Sequence, residues 1–206
     1  MKHQKWKMVT PATLVSLAGL FQAQATKPDQ ASEQLLDSFR IDTTRSQIDF
    51  AINHLEFMTV RGAFNEYDAM LHMAGTDWTT LELQATIAAV SIYTGRGILD
   101  DNLRSVDFFD VDTYPEITFV SHSIAPHGKD YRVSGHLTMK GITEEVILAL
   151  TILDTLTDQR GYTGMRFRLS GELNRQIFGV SQGGMPDRLI NDIVQLEIQV
   201  EAMRQD

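Results

Sequence analysis

Six stretches of the chain alternate apolar and polar residues one for one, and no other feature constrains the fold so tightly. Ile48, Phe50 and Ile52 form the first set, and Leu81, Leu83, Ala85, Ile87 and Ala89 the second. Tyr131, Val133, Gly135, Leu137 and Met139 follow, then Val146, Leu148, Leu150 and Ile152. Met165, Phe167, Leu169, Gly171 and Leu173 precede the last set, Val194, Leu196, Ile198 and Val200. A period of two puts successive side chains on opposite faces, so each stretch reads as a strand with one wet and one apolar face. Turn residues separate them, among them Ala74-Gly75-Thr76, Pro126-His127-Gly128-Lys129, Lys140-Gly141, Gly161 and Gly183-Gly184. With further strands near Thr59 to Met73 and Ile117 to Ile124, the count reaches about eight. Antiparallel strands that each carry one apolar face bury it together, in a closed barrel or a two-sheet sandwich. A barrel of this size either fills its interior or keeps room for one small ligand.

One segment departs from the alternation. From Asp100 to Ser121 the sequence reads DDNLRSVDFFDVDTYPEITFVS. Leu99, Leu103 and Val106 are spaced by four and three, which predicts a short helix within Gly97 to Phe109, with Asp100 and Asp101 early in it. Phe108 and Phe109 follow its end, and Tyr114-Pro115 turns the chain toward the next strand. A short helix beside a barrel can cover its mouth. The two phenylalanines then pack onto that mouth or plug the core, and both readings stay open.

The N-terminus predicts export. Lys2, Lys5 and Lys7 without an acid, a short apolar run from Met8 to Leu20 and Ala23-Gln24-Ala25 have the layout of a secretory signal peptide cut after residue 25. The apolar run is shorter than the ~20 residues a membrane span needs. The expected organisation is a signal peptide over 1–25, a leader over 26–40 and one domain over 41–206, in a periplasmic or secreted protein. Residues 33–39 are compatible with a short helix in that leader. Cleavage removes three lysines and no acid, taking the formal charge from −9 to −12. So acidic a surface repels nucleic-acid backbones and anionic leaflets, so neither nucleic-acid binding nor electrostatic membrane docking is expected. There is no cysteine, which removes disulfides, thiol nucleophiles and thiolate metal sites.

Three segments carry a family resemblance: Asp100 to Ser121; Gly62-Ala63-Phe64 with Tyr67; and Gly135 to Thr143 (GHLTMKGIT) followed by Val146. Together with the C-terminal pair Leu173 to Val180 and Asp192 to Val200, they resemble the YceI-like family of lipocalin-like proteins. The resemblance spans about Ile41 to Met203. It implies an antiparallel, eight-stranded lipocalin-like β-barrel with a short helix near one opening. It also implies an exported protein that holds an isoprenoid, a quinone or polyprenyl lipid, as bound ligand and needs no further cofactor. Together with the alternation it implies an apolar lining that includes Phe50, Ile52, Phe64, Leu83, Ile87, Leu103, Phe108, Phe109, Phe119, Leu137 and Phe167. Arg61, Arg96 and Arg104 are the candidates for a head group. The chain departs from the family pattern at Leu99 and Asn102, where members often carry a basic residue and a histidine, and at Ala69, where many have glycine. Fewer cations beside the helix favour a neutral head over a pyrophosphate.

Competing readings are weaker. Gly179-Val180-Ser181-Gln182-Gly183 matches the G-x-S-x-G nucleophile elbow, but that motif needs a strand, a sharp turn and a helix, with a histidine later in the chain, and the last histidine is His136. His54, His72, His122, His127 and His136 show no metal-ligand spacing. His122 and His136 fall on the polar sides of neighbouring strands. The acids Asp100, Asp101, Asp110, Asp112, Glu144 and Glu145 read as a solvated face. The expected role is therefore non-enzymatic. The alternatives are an enzyme acting on an apolar substrate in the same cavity, with Tyr67 or His54 the nearest ionisable groups, and an interaction or stress protein with a filled core. A homodimer is left open.

Overall fold

A computed structural model describes residues 36–55, 58–159, 161–181 and 189–205. The expected signal peptide and most of the expected leader lie outside these residues. The strands are β1 (Asp37–Ile41), β2 (Gln47–His54), β3 (Met58–Phe64), β4 (Tyr67–Met73), β5 (Glu82–Ala88), β6 (Ile92–Tyr93), β7 (Glu116–His127), β8 (Asp130–Met139), β9 (Ile142–Asp158), β10 (Gly161–Asn174) and β11 (Ile190–Arg204). Among the described residues one α-helix, α1 (Gly97–Arg104), and three 3-10 turns, Trp78–Thr80, Ala89–Ser91 and Arg175–Phe178, join them.

Every pairing is antiparallel. The closed circuit runs β1-β4-β5-β7-β8-β9-β10-β11 and returns through β1–β11, with Ile41 opposite Ala202. β2, β3 and β6 extend one side of it: β2 pairs with β11 beyond β1, β3 with β2, and β6 with β3. Three pairs, β1/β2, β3/β4 and β5/β6, are thus each one long strand broken in the middle, and the whole is an eight-stranded meander. The first break is written in Asp42-Thr43-Thr44-Arg45: the Asp42 carboxylate accepts hydrogen bonds from the Thr44 amide and hydroxyl and closes a local turn. Buried Glu201 bridges that break. Its carboxylate accepts from Arg45 at 2.7 Å and from Arg166 at 2.9 Å, while its amide donates to the Ser46 hydroxyl at 2.9 Å.

The six alternating sets point inward as the sequence predicts, and Leu83, Val133, Leu148, Leu150, Met165 and Phe167 are all buried. Two expectations at the edges change. Asp37 to Arg40, read as leader, belong to β1 and pair with both β4 and β11, so 37–39 are strand and not helix. Ile152 turns partly to solvent because the β9–β10 register shifts between Arg166 and Phe167.

The two ends of the barrel differ. At the closed end, Trp78 enters from the turn between β4 and β5 and plugs the interior. Its ring stands edge-on to Phe167 at 5.7 Å and tilted against Tyr131 at 6.4 Å. Phe39, Leu71, Met73, Leu150 and Met165 belong to the same core cluster and are fully buried. At the other end β6 is two residues long and pairs with β3 alone. α1 and the segment down to Pro115 occupy the sector of wall beside it.

Candidate functional site: an apolar chamber under the helix

α1 forms where the 3.6-residue spacing predicts it. The Asp100 carboxylate is buried and reaches back to the Thr94 amide at 2.8 Å and hydroxyl at 2.6 Å, which fixes the approach to the helix. Arg104 fastens the other end, donating to the carbonyls of Val90 at 2.8 Å and Ile92 at 2.7 Å and lying 3.4 Å from Asp101. Val106, expected on the apolar helix side with Leu99 and Leu103, lies past the helix end and is exposed. The chain then folds over itself, with the Phe109 amide donating to the Leu103 carbonyl and the Tyr114 amide to Asp110. Tyr114 settles over Gly141, where a Cβ would stand 2.8 Å from its ring and φ is +73°. Lys140 donates to the Val106 and Gly179 carbonyls and pins the segment to the barrel.

Beneath this roof lies a cavity of about 630 Å³. Phe50, Ile52, Phe64, Leu103, Phe108 and Phe109 line it, all expected from the sequence. Phe108 is buried and Phe109 half-buried, and the Phe109 ring meets Phe64 edge-on at 5.9 Å. The two phenylalanines therefore both pack into the core and face the chamber. A second, apolar void of about 100 Å³ lies within the closed circuit, lined among others by Leu83, Ile87, Phe119 and Leu137. Phe167 lines neither, because it is spent on Trp78, and its expected place in the lining is corrected to a core plug.

The polar rim differs from the expected one. Arg96 is exposed and lines the chamber where it meets solvent, beside the exposed Met58 and Leu189. Arg104 is not at the rim, since its guanidinium holds the two carbonyls of the Val90–Ile92 segment. Arg61 faces the other way, into a polar concavity of about 810 Å³ on the outer face, with Asp49, Tyr93, Glu172 and Glu197. Strand parity carries that signal: Val60 and Phe64 point inward, so Arg61 points out. Besides Arg96, three polar residues line the chamber: His54, Asn102 and Arg175. Arg175 is buried and its guanidinium donates to the carbonyls of Val180, Asn191 and Ile190 at 2.9, 3.0 and 3.2 Å. Parity with Leu173, two residues earlier, is the sequence signal for it.

Of the two ionisable groups expected nearest the cavity, His54 lines the chamber and Tyr67 does not. Tyr67 lines the smaller void, and its hydroxyl donates to the Ser46 carbonyl. Burial, and secondarily the Asp49 carboxylate, push its phenol above the ordinary value, so it stays protonated at neutral pH. Ser181 follows a 3-10 turn and Gly179 in the left-handed conformation, and not a strand, so the context of a nucleophile elbow is missing. His122 and His136 lie exposed on the outer face with ring centroids 5.0 Å apart, His122 being 3.3 Å from Glu145. Among the described residues no group of three or more histidine or carboxylate side chains is placed to hold a metal ion.

Comparison with known proteins agrees with this architecture. The model of the YceI-like domain matches residues 39–202. A UPF0312 protein of Staphylococcus aureus is 32% identical over 149 residues, 71% of this chain and 84% of that protein. One from Pectobacterium carotovorum is 28% identical over 193 residues, 94% of this chain and 97% of that protein. Among solved structures, BcnA of Burkholderia cenocepacia superposes with a TM-score of 0.70 at 27% identity, covering 79% of this chain and 99% of BcnA. A polyisoprenoid binding domain from Saccharophagus degradans, at 16% identity, shares the fold with a TM-score of 0.64 over 81% of this chain and 98% of that domain. A barrel of this topology with the match running from β1 to β11 leaves one assignment: the chain belongs to the YceI-like family.

Proposed function

We propose that the protein is an exported carrier that sequesters a single isoprenoid lipid, a quinone or a polyprenol, in the chamber beneath α1. The observation that carries the reading is the chamber itself: about 630 Å³, walled by aliphatic and aromatic side chains and open beside Arg96. That volume lies within the ~300–1,000 Å³ typical of small-molecule sites. Each CH₂ moved from water into such a wall stabilises the complex by roughly 0.8 kcal/mol, so a prenyl tail binds tightly without specific polar chemistry. The likeness in fold to a polyisoprenoid binding domain supports the same class of ligand.

The rim supports a neutral head. Leu99 and Asn102, where the chain departs from the cationic pattern, both line the chamber, and Arg175 is already engaged by backbone carbonyls. A quinone carbonyl or an alcohol can use Arg96, Asn102 and His54 as donors, whereas a pyrophosphate asks for several free cations. Export to the periplasm or beyond and the absence of any role for nucleic acid are part of the same proposal. The test is to purify the mature protein natively from an exporting host, extract it with organic solvent and identify the extract by mass spectrometry. A stoichiometric isoprenoid is expected. An empty extract, with no uptake of added quinone or polyprenol, overturns the reading in favour of a filled-core interaction protein.

A further inference from the structure

The interior is not one tube. Four side chains line both the larger chamber and the smaller void: Phe64 from β3, Met139 from β8, Leu173 from β10 and Leu196 from β11. They form a waist between the two. Phe64 is the bulkiest of them and the most constrained. It ends β3, opposite Ile48 of β2 and Ile92 of β6, and is buried. Its ring is held between Phe50, centroids 5.8 Å apart, and Phe109, at 5.9 Å edge-on. Met139 has three rotatable bonds and adapts to what it meets, whereas a phenyl ring wedged between two others does not.

We infer that Phe64 is the floor of the lipid chamber and sets the longest isoprenoid tail the protein takes in, with the small void beyond it held in reserve by that one ring. This rests on the carrier reading above. A tail that reaches Phe64 fills the larger chamber, and further isoprene units remain outside the mouth and add nothing to affinity. The void beyond the waist has room for a few methylene-sized groups, at about 100 Å³, and its wall is almost wholly apolar, so it holds no site for ordered water. Truncating Phe64 joins the two spaces without adding any polar group.

The experiment uses the full mature protein, stripped of lipid, and a series of benzoquinones bearing increasing numbers of isoprene units, scored by native mass spectrometry. Wild type should gain affinity with each unit up to a limiting length and then level off. Phe64→Ala should move that limit outward, binding the first quinone beyond it at least about tenfold more tightly than wild type, as expected when several further methylenes are buried. Adding Ala85→Leu, which fills the small void from β5, should return the limit to the wild-type length. Phe64→Leu gives the same direction with a smaller shift and serves if the alanine variant folds poorly. A limit unchanged in folded Phe64→Ala or Phe64→Leu overturns the role of Phe64 while leaving the carrier reading intact. Wild type that takes up no isoprenoid of any length overturns both.

Discussion

The closed end and the helix end of this barrel are built from the same alternating strands, yet one is solid and the other hollow. The difference comes from what enters between the strands. At the closed end Trp78 drops in from a 3-10 turn and packs against Phe167 and Tyr131. An aromatic of this kind removes ~150–250 Å² from water, on the order of 4–6 kcal/mol at about 25 cal/mol per Å². At the helix end α1 lies across the opening and does not insert, so Ile52, Val60 and Val194 face space. A plug and a roof are both short helical turns joined to strands. The plug spends its apolar surface filling the barrel, whereas the roof leaves an apolar chamber beneath it.

Substitutions at the two ends should therefore separate stability from retention. Phe167→Ala leaves a cavity beside Trp78 and should cost about 3–5 kcal/mol, read as a lower urea midpoint, with lipid retention unchanged in the folded fraction. Phe109→Asp and Ile52→Asp should do the reverse: lipid lost at least about tenfold more readily, at a smaller stability cost than Phe167→Ala, because both residues are half-buried around a space. If both variants keep their lipid in a folded protein, the contrast between the ends is wrong.

Glu201→Gln probes the seam joining the ends and should cost about 1–3 kcal/mol at pH 7. Hydrogen bonds from Arg45 first, and then Arg166, hold the Glu201 carboxyl below its ordinary value. A depressed carboxylate contributes stability that is present above its unfolded pKa, ~4.3, and is lost as pH falls through the folded value. Urea midpoints taken from pH 7 down to pH 3 should thus fall more steeply for wild type than for Glu201→Gln. Arg61→Ala, on the outer face, should shift stability by no more than about 0.5 kcal/mol and leave retention as it was.

The barrel was legible in the sequence because a period of two is a direct imprint of strand geometry on the chain, and α1 was legible because its apolar spacing switches to three and four. The strand breaks were harder to read. Asn65-Glu66 between β3 and β4 looks like any polar pair in an alternating run, and the break shows only in the partners each half finds. The site was legible as a list of inward residues but not as a space. Ile52 and Phe167 carry the same alternation, and which of them faces space is decided by whether a tryptophan arrives from elsewhere. Parity alone could have placed Arg61 outside and Arg175 inside. No local pattern marks Arg104 as a clamp, since its partners are carbonyls contributed by residues 90 and 92.

How α1 is attached has a consequence for exchange. Strands β9, β10 and β11 hold one another by long backbone ladders, whereas α1 is tied to the 90–94 segment by the Asp100 and Arg104 side chains. Displacing it severs these side-chain bonds and no ladder. On the carrier reading, exchange of a bound lipid is expected as a local event separate from global unfolding, and amides of β9 to β11 should stay shielded from hydrogen exchange while those of α1 report each opening.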